Sequence, residues 1–144
     1  MQYTYPAIIT PEPDNTGFNV SFPDVPEALT SGTTMEQALE NAADALAEAL
    51  AAYTHMDRDI PAPSHAPDAV HIPLPPLDAA KLALNAAIRA QGITNLELAR
   101  RLDTQEGAIR RLRDPRHSSK ITAINAAMRA LGRTLVIGDM QAAE

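Results

Sequence analysis

The chain of 144 residues contains no cysteine and no tryptophan, and aromatic residues make up only 3% of it. The absence of cysteine excludes disulfides and thiolate zinc sites. With so few aromatics, small aliphatic residues must do most of the packing, and an apolar fraction of 45% is enough for a core. No apolar run approaches the roughly 18 residues that a membrane span needs. The opening "MQYTYPAIITPEP" lacks the basic and apolar regions of a secretory signal, so a cytoplasmic protein with no membrane contact is expected. Histidine is scarce: His55, His65, His71 and His117 show no metal-ligand spacing such as H-x-x-x-H. There is no nucleophile elbow and no glycine loop for phosphate. The expectation is therefore no catalytic residue, no bound metal and no cofactor.

Bases are missing from half of the molecule. Residues 1–76 hold eleven acids and a single base, Arg58, a net charge of −10. Residues 77–144 hold eleven bases and seven acids, a net charge of +4. Such asymmetry predicts two domains with different partners: the first should repel nucleic acid and the second could hold it. Prolines mark the seam, six of the twelve falling between Pro61 and Pro76. Proline fixes φ and disfavours helix in the residue before it, so residues 61–76 read as an extended, stiff linker. The predicted boundary lies at residue 76.

In the first half, residues 2–9 read as a strand in which Pro6 implies an edge or a bulge. The turn signal "EPDNTG" leads to a second strand over 18–22, where Phe18, Val20 and Phe22 alternate with Asn19 and Ser21. A third strand is predicted near Ala28–Ser31 and a fourth over 68–73. Between them "TTMEQALENAADALAEALAAY" is a helix, with Thr33/Glu36 and Thr34/Gln37 both fitting a capping box. Its buried stripe is expected at Leu39, Ala42/Ala43, Leu46, Leu50 and Tyr53. The opposite face carries Glu36, Glu40, Asp44 and Glu48 at four-residue steps. Like charges so spaced destabilise a helix by about 0.2–0.5 kcal/mol per pair. They are either a solvated row or a docking face for a cationic partner.

The second half reads as four helices: 78–92, capped by Asp78 and stopped by Gly92; 94–102; 106–114, halted by Pro115; and 119–132. "TLVIG" (134–138) is expected to form a short closing strand. In "NLELARRLDTQEGAIRRLRDP", Ala99 is small where two helices cross, and Leu98, Leu102, Ile109 and Leu112 fall where a helix-turn-helix has its core. On these residues the stretch 79–133 resembles the lambda-repressor/Cro-like helix-turn-helix domains. That family usually has glycine in the turn, where this chain has Asp103, a residue that tolerates the left-handed conformation better than most. The resemblance makes 106–114 the recognition helix in the major groove. It places Gln105, Glu106, Gly107 and Arg110 near base edges. Arg111, Arg113, Arg116, Ser118 and Lys120 are then suited to phosphates. Between Arg89 and Arg116 stand seven arginines against four acids, which favours nucleic acid over a plain solvated face. Operators of this class are usually read by dimers, and the exposed edge of "TLVIG" could pair with its copy in a second chain.

The loop "FPDVPEALTSGTT" (22–34) carries two acids, Asp24 and Glu27, but no pocket-forming histidine or further ligand accompanies them. Asp24 is expected to bond nearby backbone as a turn residue. The pattern Tyr5–Ala7, Gly17–Phe18, Val20, Phe22-Pro23-Asp24-Val25-Pro26, Thr30, Gly32, Thr34, Ala38, Ile60-Pro61 and Pro63-Ser64 resembles the HicB antitoxin family over residues 3–64. The chain departs from it at Glu27-Ala28, where Gly-Cys is common, and at Glu36-Gln37-Ala38, where Glu-Glu-Ala is common. The resemblance implies a small, partly degenerate ribonuclease-H-like β-β-β-α-β domain that lacks the clustered carboxylates of a two-metal nuclease. It also implies a partner, a HicA-like basic ribonuclease toxin, and a C-terminal DNA-binding domain that represses its own operon.

The expectation is thus an α+β chain of two domains. Residues 1–76 would bind toxin through Asp24, Glu27, Glu36, Glu40, Asp44 and Glu48. Residues 77–144, all-α with a terminal strand, would bind operator DNA as a homodimer or higher assembly. The alternatives are a stand-alone transcriptional regulator with a ligand-sensing first domain, and a weak nuclease.

Overall fold

A computed structural model of the protein describes residues 1–142, in two compact units, Met1–Pro75 and Pro76–Met140. The first unit has strands β1 (Thr4–Pro11), β2 (Phe18–Ser21), β3 (Leu29–Gly32) and β4 (Val70–Pro73), with helix α1 (Met35–His55) between β3 and β4. All pairings are antiparallel and the sheet order is β3-β2-β1-β4. The predicted β-β-β-α-β sequence of elements is what forms. β1 is divided: residues 4–7 pair with β4 and residues 8–11 with β2. Pro6, opposite His71, therefore lies where β2 does not reach, so a residue without an N–H is accommodated locally as at an edge.

Alternation along the strands separates the two faces of the sheet. Tyr5, Ala7, Val20 and Ile72 are buried beneath α1, whereas Ile8 and Leu29 are exposed on the other face. α1 contributes Ala38, Ala42, Leu46, Leu50 and Tyr53 to the core. Ala38 takes the place expected for Leu39, which is half-buried, because residue 38 is in phase with Ala42, Leu46 and Leu50 and is crowded against β3. Gly32 shows the same crowding: a Cβ there would collide with the Ala38 backbone. Thr34 caps the helix by accepting from the Gln37 N–H (3.1 Å), and Gln37 Oε1 accepts from the Thr33 N–H (2.7 Å). Of the two capping pairs that fit the sequence, Thr34/Gln37 is used, displaced by one residue on the return bond.

The proline-rich stretch is not a free spacer. The Tyr5 hydroxyl donates to the Pro61 carbonyl (2.7 Å), the Ser64 N–H donates to Asp24 (2.8 Å), and β4 itself lies within residues 61–76. Burial pushes the Tyr5 hydroxyl's pKa upward, and an un-ionised hydroxyl is the form that can donate here.

The second unit contains α2 (Pro76–Gln91), α3 (Asn95–Arg101), α4 (Glu106–Arg113) and α5 (Ile121–Ala130). α2 begins two residues before the expected cap, with Pro76 in the first turn where its missing N–H is harmless. Asp78 is then an acid of the first turn rather than the cap. Leu84, Leu98, Ile109, Ile124 and Ala127 are fully buried, and Leu102, Leu112 and Leu135 pack against that core. α3 ends with the Asp103 N–H bonded to Arg100 O (3.2 Å) and the Thr104 N–H to Ala99 O (2.9 Å). This is a Schellman closure with Asp103 at φ 52° in the position glycine usually takes. Gly92 (φ 61°) and Gly132 (φ 76°) close α2 and α5 in the same way.

One expected element is absent. Residues 134–138 form no strand: Leu135 is tethered through its N–H to Asn125 Oδ1 (2.9 Å), while Val136 is 91% exposed. A strand needs a neighbour to satisfy its backbone, and no strand in this unit stands beside it among the described residues. No helix among the described residues is long and apolar enough to cross a membrane.

Candidate functional site

Two surfaces of opposite charge carry the candidate residues, one on each unit. On the second unit, α3 and α4 are joined by residues 102–105, and α4 is only eight residues long. Its apolar side is anchored by buried Ile109 and half-buried Leu112, and the positions opposite them turn outward. Gln105, Arg110, Arg111, Arg116, Ser118 and Lys120 are exposed, and Glu106 and Gly107 are half-buried. Arg110, with 68% of its side chain exposed, donates to Glu106 Oε1 at 2.9 Å one turn earlier. Glu106 is thus an internal partner of Arg110 in the unbound protein. The pair restrains the guanidinium on the outer face and lowers the local positive field.

Gly107 has no intramolecular reason to be glycine. A Cβ there would meet only the Arg111 Nη1 atom, at 3.5 Å, an ordinary contact. Arg113 departs from the expected phosphate-facing set. Its Nε donates to Asn85 Oδ1 (2.7 Å) and its Nη1 to Asn95 Oδ1 (2.7 Å), so its guanidinium is committed to α2 and α3. The helical period explains the difference. Arg113 lies four residues after Ile109, on the inward side of the helix, while Arg110 lies outside.

On the first unit, Glu36, Glu40, Asp44 and Glu48 are all exposed along α1, away from its buried stripe. None of the four makes a side-chain hydrogen bond or ion pair among the described residues, so their charges face solvent. Asp24 and Glu27 are different. Asp24 accepts from both the N–H and the hydroxyl of Ser64, forty residues away, rather than from nearby backbone as the sequence suggested. Glu27 accepts from the Tyr53 hydroxyl (2.5 Å) and from Arg58 Nη1 (3.3 Å). The Arg58 guanidinium also lies 3.9 Å from the Tyr53 ring centroid, in cation–π range. The Tyr53 hydrogen bond holds the Glu27 carboxyl below its ordinary pKa, and the same bond raises that of Tyr53. These two carboxylates fasten the loop to the end of α1 and to the segment beyond it. No group of three or more potential metal ligands occurs among the described residues.

Sequence reasoning missed Lys81 and Asn85 of α2, both buried. A signal was present: with Leu77, Leu84 and Ile88 they fall on the helix's apolar stripe, where a lysine and an asparagine require partners.

The family described as HicB-like antitoxins of bacterial toxin–antitoxin systems matches residues 4–83. Antitoxin HicB of Escherichia coli (strain K12) is 42% identical over 133 residues, covering 91% of this chain and 95% of that protein. Antitoxin HicB 2 of Photorhabdus laumondii is 44% identical over 124 residues, 86% of this chain and 88% of its own. Antitoxin HicB of Pseudomonas fluorescens is 39% identical over 121 residues, 82% of each. These alignments are longer than either unit, so the likeness runs through both the sheet and the helices. The chain belongs to the HicB-like antitoxin family of bacterial toxin–antitoxin systems.

Proposed function

We propose that the protein neutralises a HicA-like, basic, RNA-cleaving toxin through residues 1–76 and represses its own operon by binding operator DNA through residues 77–144. It acts by binding and not by chemistry. The observation that carries the DNA half is α4: a short helix with Gln105 at its N-cap and with Gly107, Arg110 and Arg111 off its buried side, following a four-residue turn with a left-handed Asp103. These features support reading this unit as a helix-turn-helix, with α4 as the helix that enters the groove. Arg110 is the residue best suited to grip a guanine through two hydrogen bonds, leaving Glu106 on the way. Arg111, Arg116, Ser118 and Lys120 supply backbone contacts that set strength and register. A second copy completes the site. The segment 134–138, outside any helix or strand and with Val136 and Ile137 exposed, is the element we assign to pairing between copies.

The toxin half rests on the solvent-facing row of four α1 acids in a half-chain of charge −10. Such a surface speeds encounter with a cationic protein and competes with RNA for it. Asp24 and Glu27 hold the loop and the end of α1 through their bonds to Ser64, Tyr53 and Arg58.

The test expresses the full chain beside the product of whichever small gene adjoins its own, and separately titrates the chain onto its own promoter. Growth should be restored and the promoter should be bound in preference to random DNA. Arg110→Ala should weaken promoter binding more than random-DNA binding, by about tenfold for one lost bidentate contact. Equal losses on both DNAs would make Arg110 a phosphate contact. A harmless neighbouring protein, or a toxin that the full chain does not suppress, would remove the neutralisation reading.

A further inference from the structure

A helix of eight residues in two turns is too short to hold its own shape or direction in water. α4 fully buries one side chain, Ile109, and its pose is set by something other than a wide apolar face. The carbonyl groups at its C-terminal end converge on α2. Lys81 Nζ donates to Arg111 O (3.1 Å), Asp114 O (2.7 Å) and the Ser119 hydroxyl (2.9 Å). Asn85 Nδ2 donates to Arg113 O (3.1 Å), and Asn85 Oδ1 accepts from Arg113 Nε (2.7 Å). Arg113 then reaches Asn95 on α3 (2.7 Å).

Lys81 is only 1% exposed, a rare position for an ammonium group. Its three donors meet three oxygens, which is the condition for leaving such a group in the interior. Burial lowers its pKa, and the charges of Asp114 and Asp78 oppose that shift. A cation against the last carbonyls of a helix is also matched to the negative end of the helix dipole. The network spans α2, α3, α4 and the turn before α5. It fixes the angle of α4 through directional bonds, which tolerate rotation far less than apolar contacts do.

We propose that Lys81 and Asn85 are positioning residues for DNA reading: they lock α4 so that Arg110 and Gln105 present to base edges in one pose. The proposal rests on the DNA-binding reading above and adds residues that never touch DNA. In their absence α4 still carries its arginines, so attraction to phosphates persists while discrimination between sequences falls. Discrimination is what distinguishes a positioning role from mere stabilisation.

The experiment compares full-length wild type, Lys81→Met, Asn85→Ala and a core control, Ile124→Val, at a temperature where each is folded by circular dichroism. Binding is measured to the duplex spanning the chain's own promoter and to a random duplex of equal length, at one salt concentration. The promoter-to-random ratio should fall about tenfold or more in Lys81→Met and Asn85→Ala, the loss of roughly one base contact. Random-duplex affinity should change little, and Ile124→Val should keep the wild-type ratio despite lower stability. Unchanged ratios in folded Lys81→Met and Asn85→Ala would overturn the positioning role and leave a stabilising one. If Lys81→Met does not fold, Asn85→Ala decides by the same criterion. A wild-type chain that fails to prefer its promoter removes the DNA-binding reading itself, which is visible before any variant is measured.

Discussion

Gly107 offers a perturbation whose two effects have opposite signs. It is the second residue of α4, where glycine is a poor helix former, and a Cβ at this site would meet only Arg111 Nη1 at a normal 3.5 Å. Gly→Ala inside a helix gains roughly 0.5–1 kcal/mol. In a first turn the gain lies near the lower end, about 0.5 kcal/mol. For a unit of this size that raises Tm by roughly 2–4 °C. If the α4 backbone lies close to a base edge in the complex, the same methyl must be accommodated between protein and DNA. A tenfold loss of promoter affinity, about 1.4 kcal/mol, is then expected from a protein that is more stable than wild type. Differential scanning calorimetry reads the first number and a fluorescence-anisotropy titration on promoter DNA the second. Stabilisation with undiminished promoter affinity would refute close approach at Gly107. Destabilisation would refute the reasoning from clearance, since the open space around an added methyl leaves no source for it.

Asp103→Gly places the residue that a Schellman closure favours at φ 52°. Relief of left-handed strain, offset by the greater freedom of the unfolded chain, should stabilise by about 0.5 kcal/mol, seen as a higher urea midpoint with unchanged m. Reversing Glu40 and Asp44 to Lys together should slow association with the toxin at low salt and leave dissociation nearly unchanged in stopped-flow measurements. An unaltered association rate would return the acidic row to simple solvent exposure. The Tyr53–Glu27 hydrogen bond predicts two pH limbs. Glu27's folded pKa is depressed, so its contribution is present above the ordinary value of 4.5 and is lost as pH falls through the folded value. Tyr53's folded pKa is raised, so its contribution is present below 10.0 and is lost as pH rises through the folded value. Tyr53→Phe should flatten both limbs in denaturation curves taken from about pH 3 to about pH 11. A variant whose curve parallels wild type throughout would show that the bond adds nothing to folding.

The division of charge along the chain gives the two surfaces different sensitivities to salt. Arg111, Arg116 and Lys120 would neutralise phosphates and release counterions, so DNA affinity should depend steeply on ionic strength. The α1 acids would act on a protein surface, where screening alters mainly the rate of encounter. Arg58, the sole base among residues 1–76, does not dilute this field at the helix row, because it is stacked on Tyr53 and paired with Glu27. The acidic face and the arginine of the first unit are therefore kept apart by the same loop that the sequence marks with F-P-D-x-P.

What could be read from the sequence was local. Strand alternation at Phe18–Phe22, the Thr34 cap, Gly92 as a helix stop, and the turn at Asp103 each depend on residues within a few positions of one another. The physics that decides them acts over that range. Asp24 shows where this ends. Its type and its flanking prolines fit a turn residue bonding its neighbours, yet its carboxylate is taken by Ser64, because β4 returns the chain beside β1 and brings residues 61–64 back over the loop. Arg113 shows a related limit: the helix-turn-helix resemblance suits it to phosphate, while the helical phase relative to Ile109 turns it toward Asn85. The strand expected at 134–138 has the composition of one, but strand formation is a property of pairs. Alone, Leu135 can satisfy only its N–H, through Asn125, and the remaining backbone stays open to water or to a second chain. Lys81 is legible in helical phase but hidden by its charge, which usually means exposure. A buried stripe that contains a lysine requires about three acceptors around it, and that requirement locates the C-terminal end of another helix.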